Sequence, residues 1–315
     1  PIDSLREQSR MSLKTRFGNL RDVLDSNSYQ DNVFVMDSPI ITNSIFSKMM
    51  KFGQSVTKII DCSFDLKETS LKETIKRIQN EAEAAVLSGK QHVVLTDINT
   101  DHDKVSAPII LATAAVHTFL TRKGIRSFVS IHTQSAECLD THYFAVLIGV
   151  GATTVNPYLA QECIRERHEK GLFKNLSYEE CVQRYKKAVD QGLLKVMAKL
   201  GISVLSAYRG GFNFEAVGLS RSMVNEYFLG VQSRISGIGL TGIEFKINQL
   251  HSYAYSGDVD TLPIGGIYRY RYGEETHAYD GKLIHLLQTA VSNDSFDLYK
   301  KYSLAHKNFS PINIR

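Results

Sequence analysis

The sequence predicts an α/β fold, a partial (βα) barrel-like or doubly wound parallel sheet with an N-terminal arm and an irregular Gly/Tyr-rich C-terminal region. Two observations carry that expectation. From about residue 56, short apolar runs alternate with longer amphipathic stretches, the cadence of βα units. The residues that stop one element and start the next, Gly, Pro and Ser, fall between them.

Lys58-Ile-Ile-Asp-Cys62 reads as the first strand. Thr69 to Ser88 then carries Leu71, Ile75, Ile78, Ala82, Ala85 and Val86 at helical spacing, closed by Gly89. His92-Val-Val-Leu-Thr-Asp97 is a second strand. Pro108 opens a helix from Ile109 to Arg122, where its missing N–H is tolerated, and Gly124 follows the end. Ser127 to His132 is a third strand, followed by a helix from Ser135 to about Ile148. Gly149 to Asn156 supplies a turn and a fourth strand, and Pro157 starts another helix. A long helix from Tyr178 to Leu200 stops at Gly201 and feeds a fifth strand, Ile202 to Ser206. Five strands at this cadence suit a partial barrel or an open doubly wound sheet, with right-handed crossovers in both.

Three regions follow: an arm over 1–50, a central α/β domain over 51–230 and a connecting region over 231–315. The arm has Asn, Asp and Ser clusters from Leu20 to Asp31 and a break at Ser38-Pro39. The connecting region is expected to be irregular with a hairpin, then helical near Gly281 to Asn293 and Ser295 to Lys307. The opening at Pro1 and the uncapped ending Ser310 to Arg315 predict an internal segment of a longer polypeptide.

Composition bounds the function. The 315 residues are 43% hydrophobic and 22% charged, with no apolar run near the roughly 18 residues of a membrane span. A net charge of +4 is spread along the chain, which argues against nucleic acid as a partner. Cys62, Cys138, Cys163 and Cys181 are too few and too irregularly spaced for a disulfide framework or a CxxC metal site, which suits a reducing cytoplasm.

Several motifs invite chemistry. Gly237-Ile-Gly-Leu-Thr-Gly242 fits G-x-G-x-x-G, but no buried strand precedes it and no strand ending in an acid stands about 20 residues on, so a flexible surface turn is the better reading. Asp97, Asp101, His102 and Asp103 follow the second strand, where α/β folds place ligands. Three acids and an imidazole suit a divalent ion, so a free-standing metal-dependent α/β enzyme is one alternative; an ordinary loop with an N-cap is the other. His132, Cys138 and His142 have poor ligand spacing, because only Cys138 and His142 share a helix face. Ile267 to Tyr272 alternates tyrosine with arginine at the period of a strand, which predicts an edge hairpin. Glu179, Glu180, Arg184 and Lys187 form a solvated helix face.

Longer strings resemble one family. Pro1-Ile-Asp-Ser-Leu-Arg-Glu, Met11-Ser-Leu-Lys-Thr-Arg-Phe-Gly-Asn-Leu20 and Ser38-Pro-Ile-Ile-Thr-Asn43 are similar to the entry into the central domain of glutamate synthase large subunits. Gly151 to Ala160, Gly192 to Ser203 and Tyr208 to Leu219 resemble its later part. Ser233 to Leu240, Leu262 to Tyr268 and His285 to Gln288 resemble the run into the flavin barrel. The resemblance implies a connecting domain between a glutaminase domain and an FMN synthase domain of one polypeptide. That enzyme makes L-glutamate from glutamine and 2-oxoglutarate, passes ammonia through a tunnel, carries FMN and a 3Fe-4S cluster, and in the NADPH type works with a small NADPH-oxidising subunit. This chain has neither the glutaminase nucleophile nor the family's Cys-x5-Cys-x4-Cys run; its closest cysteines, Cys163 and Cys181, are 18 apart. No catalytic, cofactor-binding or metal-ligating residue is therefore carried over. The arm's mixed small, polar and apolar residues suit a wall past which a neutral amine moves, and Met11, Ser12, Thr42 and Asn43 are the candidate tunnel or interdomain residues.

Overall fold

The computed structural model describes residues 3, 5–22, 24–27, 33–138, 140–211, 213–257, 265, 269–273 and 276–308. The chain divides into two compact units, Pro1–Tyr255 and Ser256–Arg315. In the first, the arm comprises α1 (Glu7–Arg10), β1 (Thr15–Phe17), β2 (Phe34–Met36) and α2 (Asn43–Phe52). Next come β3 (Thr57–Asp61), β4 (Ser63–Phe64), α3 (Leu71–Leu87), β5 (His92–Thr96), β6 (Val105–Ser106), α4 (Ile109–Arg122), β7 (Ser130–Gln134), α5 (Thr141–Gly149) and β8 (Thr154–Asn156). The unit ends with α6 (Tyr158–Glu169), α7 (Tyr178–Leu200), α8 (Leu205–Tyr208), α9 (Arg221–Tyr227) and α10 (Leu240–Ala254).

Four strands form the parallel sheet in the order β3-β5-β7-β8. Spatial order follows chain order without reversal, so no topological switch point exists. Of the two predicted arrangements this is the barrel-like one, and it is not closed. β1 and β2 pair as an antiparallel hairpin, as do β4 and β6.

Every residue of β5 is buried, so both sheet faces are covered. Side chains alternate across a strand. Val93, Leu95 and Ile131 accordingly join a large core with Leu71, Ile75, Leu111 and Phe144 from the helices. Val94 faces the other way and packs with Ile41 and Phe46 of the arm. Helix ends follow the residues expected to set them. Ser177 and Glu180 form a capping box on α7, and Gly201 closes it in the left-handed conformation at φ 74°.

Three expectations are corrected. The fifth strand is absent: Val204 makes only an isolated bridge to Ser12, because residues 39–41 already occupy the free edge of β8 through Ile41 N to Val155 O (2.9 Å) and Val155 N to Pro39 O (2.8 Å). The helix expected from Ser135 begins at Thr141, capped by Asp140, while 135–137 form a non-helical bend that binds neighbouring elements. The connecting region is less irregular than expected, since Gly237–Gly242 runs directly into α10. Leu240, Ile243 and Ile247 give that helix an inward stripe.

The second unit contains α11 (Gly281–Ser292) and α12 (Phe296–Lys307), which pack together with Leu283 and Ala290 buried. Ile267 and Tyr268 of the expected hairpin lie outside the described residues, as do 262–264 and 310–315; described positions 269–272 form no strand. Among the described residues no helix is long and apolar enough to cross a membrane.

Candidate functional site

Parallel register brings the last residues of the four strands into one row: Asp61, Thr96, Gln134 and Asn156. This C-terminal edge is where α/β sheets hold ligands. Thr96 Oγ1 donates to Gln134 Oε1 at 2.9 Å. Asp61 accepts from Ser63 N (2.9 Å), from the Ser63 hydroxyl and from Asn99 Nδ2 (2.9 Å). Burial pushes its carboxyl up, but these bonds outweigh it and the net shift is downward.

The arm meets the row at Asn156, whose Nδ2 donates to Ile41 O (3.0 Å) and Asn43 Oδ1 (2.9 Å). Its Oδ1 is buried without a partner, an acceptor left over at the end of β8. Asn43 in turn donates its backbone N–H to Gln161 Oε1 (2.8 Å) and its side chain to Glu162 Oε1 (3.1 Å). Thr42 caps α2 by accepting from Ile45 N at 3.3 Å. Thr42, Asn43, Gln161, Arg165, Tyr178 and Glu179 line a cavity of about 460 Å³. Met11 and Ser12 do not line it. Ser12 is held by the turn after α7, with its N–H on Ser203 O (2.8 Å) and its carbonyl on Leu205 N (3.1 Å), and Met11 lies in the main core.

The Asp97–Asp103 set is not assembled. Asp97 is buried and accepts from Ser135 Oγ (2.5 Å), Ala136 N (3.0 Å) and the Tyr158 hydroxyl. Burial raises its carboxyl above the usual range against the pull of those bonds. Asp101 instead caps its own exposed loop, accepting from Asp103 N and Lys104 N at 2.9 Å each, and His102 pairs with Asp103 at 3.2 Å. No group of three or more His, Cys, Asp or Glu residues with metal-holding geometry occurs among the described residues. The Asp97–Asp103 set therefore gives the metal-enzyme alternative no site. His132, Cys138 and His142 are likewise apart in environment: His132 lies in β7, Cys138 is buried in a loop, and His142 stands edge-on to Phe214.

Two arrangements were missed from sequence. Glu137 Oε2 accepts from Ile109 N (3.1 Å) and from the Tyr143 hydroxyl, capping α4 with a carboxyl that burial, and secondarily the Asp97 charge, raises. The other is an imidazole pair on the arm-facing side of the sheet. His92 Nδ1 lies 3.0 Å from His132 Nε2, His132 Nδ1 lies 2.7 Å from Thr154 Oγ1, and Phe17 stands edge-on to both rings. Burial holds both neutral, His92 down to about 4 and His132 well below its usual value. The signal was the i, i+2 polar alternation of these strands, which puts His92, Thr96, Ser130, His132 and Gln134 on one face.

The model of the glutamate synthase central domain family matches residues 1–220. This chain belongs to that family. Over 317 aligned residues it is 50% identical to the glutamate synthase [NADPH] large chain of Azospirillum brasilense, covering 100% of this chain and 21% of that one. It is 36% identical to the corresponding large chain of Bacillus subtilis (97% and 20% covered), and 34% to the ferredoxin-dependent glutamate synthase of Pyropia yezoensis (100% and 21%). The central-domain chain thus spans about a fifth of the length of these relatives. Among solved structures, the flavin-binding domain of baker's yeast flavocytochrome b2 is similar at 13% identity and a TM-score of 0.35, over 42% of this chain and 31% of that one.

Two buried cysteines and the glycine motif are poorly suited to ligand binding. Burial, then the Asp97 charge, pushes the Cys62 and Cys138 thiols up, opposite to what thiolate ligation of a cluster needs. The glycine motif is closed to a phosphate on one side. A Cβ at Gly237 would stand 2.0 Å from Gly218 O, so that turn packs on backbone.

Proposed function

We propose that this chain is the connecting domain of a glutamate synthase polypeptide, joining a glutaminase domain to an FMN-dependent synthase domain and walling part of the route that ammonia takes between them. The observation that carries this reading is the match to the central-domain family together with 50% identity along the whole chain to a protein about five times as long. The larger polypeptide would make L-glutamate from glutamine and 2-oxoglutarate in the cytoplasm, hold the FMN and a 3Fe-4S cluster outside this chain, and receive electrons from an NADPH-oxidising small subunit. Thr42 and Asn43, beside the unpartnered Asn156 acceptor, are the better placed wall residues, since both line the cavity of about 460 Å³. Met11, packed in the main core, and Ser12, held by the turn after α7, support that wall from behind.

The test replaces the corresponding fifth of the Azospirillum brasilense large chain with this sequence. Glutamine-dependent glutamate synthesis is expected to survive, whereas the chain alone shows no flavin absorbance and neither glutaminase nor synthase turnover. Synthase activity in the isolated chain, or a dead but folded chimera, refutes the proposal.

A further inference from the structure

The N-terminal end of the sheet, opposite the row that ends at Asn156, carries a cavity of about 380 Å³ beside β2, the end of α2 and the first residue of β5. Phe34, Phe52 and Val56 give it apolar walls, and Gln91 and His92 are its polar residues. No Lys, Arg, Asp or Glu stands among its described lining residues. A volume of this size with apolar walls and few placed polar groups is the make-up of a small-molecule site.

His92 is only 3% exposed. Its Nδ1 is taken by His132 Nε2 at 3.0 Å, whereas its Nε2 has no partner among the described residues and is not sealed from solvent. That nitrogen opens into the cavity His92 lines. Gly53, also on the lining, keeps this edge of the ring clear: a Cβ there would stand 4.0 Å from His92 Cδ2, the carbon bonded to Nε2.

The proton on that nitrogen is set from behind. Thr154 is fully buried and its hydroxyl has one partner, His132 Nδ1 at 2.7 Å. Were the imidazole the donor, the hydroxyl proton would be buried with no acceptor, at the cost of an unmade hydrogen bond. The hydroxyl therefore donates to His132 Nδ1. The His132 proton is then on Nε2 and is donated to His92 Nδ1, which leaves the His92 proton on Nε2. Burial keeps both rings uncharged. The cavity thus presents one fixed, neutral N–H donor on an apolar floor, with Phe34 inclined to the same imidazole at a centroid distance of 6.5 Å.

We propose that this cavity binds a small uncharged molecule with an apolar body and one carbonyl-type oxygen, which accepts from His92 Nε2–H. The chain, labelled with 15N-histidine, is titrated at pH 7 with acetophenone, ethylbenzene or benzoate and followed by NMR. His92 is expected to be protonated at Nε2 before any addition, and acetophenone to move that N–H downfield saturably. Ethylbenzene, which lacks the acceptor, is expected to bind about fivefold more weakly than acetophenone and without the downfield shift. Benzoate is expected to bind at least tenfold more weakly, since its charge would be desolvated with no cation opposite. Phe52→Ser alters a wall residue that is 86% exposed, so the fold is expected to hold while acetophenone affinity falls at least threefold. A proton on Nδ1, no saturable shift, ethylbenzene or benzoate as tight as acetophenone, or unchanged affinity in Phe52→Ser overturns the site.

The same titration is made on the Azospirillum brasilense chimera, and only this arm rests on the connecting-domain reading. The acetophenone response is expected to persist there. Its loss, with the isolated chain still responding, would mean that another part of the longer polypeptide fills the cavity and would overturn the site as one for a free ligand.

Discussion

Two buried residue sets drive stability in opposite directions with pH. Asp97 and Glu137 have raised carboxyls, so the fold binds their protons more tightly than the open chain does; they stabilise at low pH and lose that contribution as pH climbs from about 4 through their folded values. His92 and His132 are held neutral, so their contribution is present above about 6.5 and is lost on acidification, for His92 through about 4. Between those limits the two slopes oppose. Urea unfolding of Asp97→Asn across pH 4 to 7 is therefore expected to show stability rising more steeply with pH than in wild type. His132→Gln is expected to show the reverse; parallel profiles for both variants would refute the assignment. Asp97→Ala, which strands the Ser135 hydroxyl and the Ala136 N–H, is expected to cost about 1–3 kcal/mol at any pH.

At the scale of elements, two glycines set chain geometry. Gly237 lets the segment before α10 lie on the backbone of Gly218, where Leu219 and Ile238 bridge. Gly237→Ala is expected to destabilise by about 1–3 kcal/mol in chemical denaturation, as overpacking does. Gly201→Ala forces a side chain into the left-handed end of α7 and is expected to cost about 1–2 kcal/mol. The elements that the sequence revealed are those with such local marks. Pro108 and Arg122 bound α4, and Ser177 and Gly201 bound α7, because caps act within a turn. Residues 202–206 have strand character, yet strands need a neighbour, and the arm had taken β8's edge. The stripe of α10 was present in Leu240, Ile243 and Ile247 but was obscured by glycines read as punctuation. For the site, Thr42 and Asn43 were marked by the family-like string from Ser38 to Asn43, whereas the contact of Asn43 with Asn156 spans 113 positions, which no local pattern encodes.

At the scale of the molecule, the core explains which part stands alone. Its buried and packed apolar residues run from Met11 to Ile247, all within the first unit, and they cover both faces of the sheet. Among its described residues the second unit has two helices, of 12 residues each, and of the described hydrophobic ones only Leu283 and Ala290 are buried. Helices of that length are marginal in water without tertiary packing, and a short segment rarely supplies a core. A chain ending at Tyr255 is therefore expected to unfold in one cooperative transition, coincident by circular dichroism and by tyrosine fluorescence. Residues 256–315 alone are expected to lose helix gradually with temperature and without a sigmoid. A broad, non-coincident melt of 1–255 would mean that the sheet and its covering arm do not form a self-sufficient core.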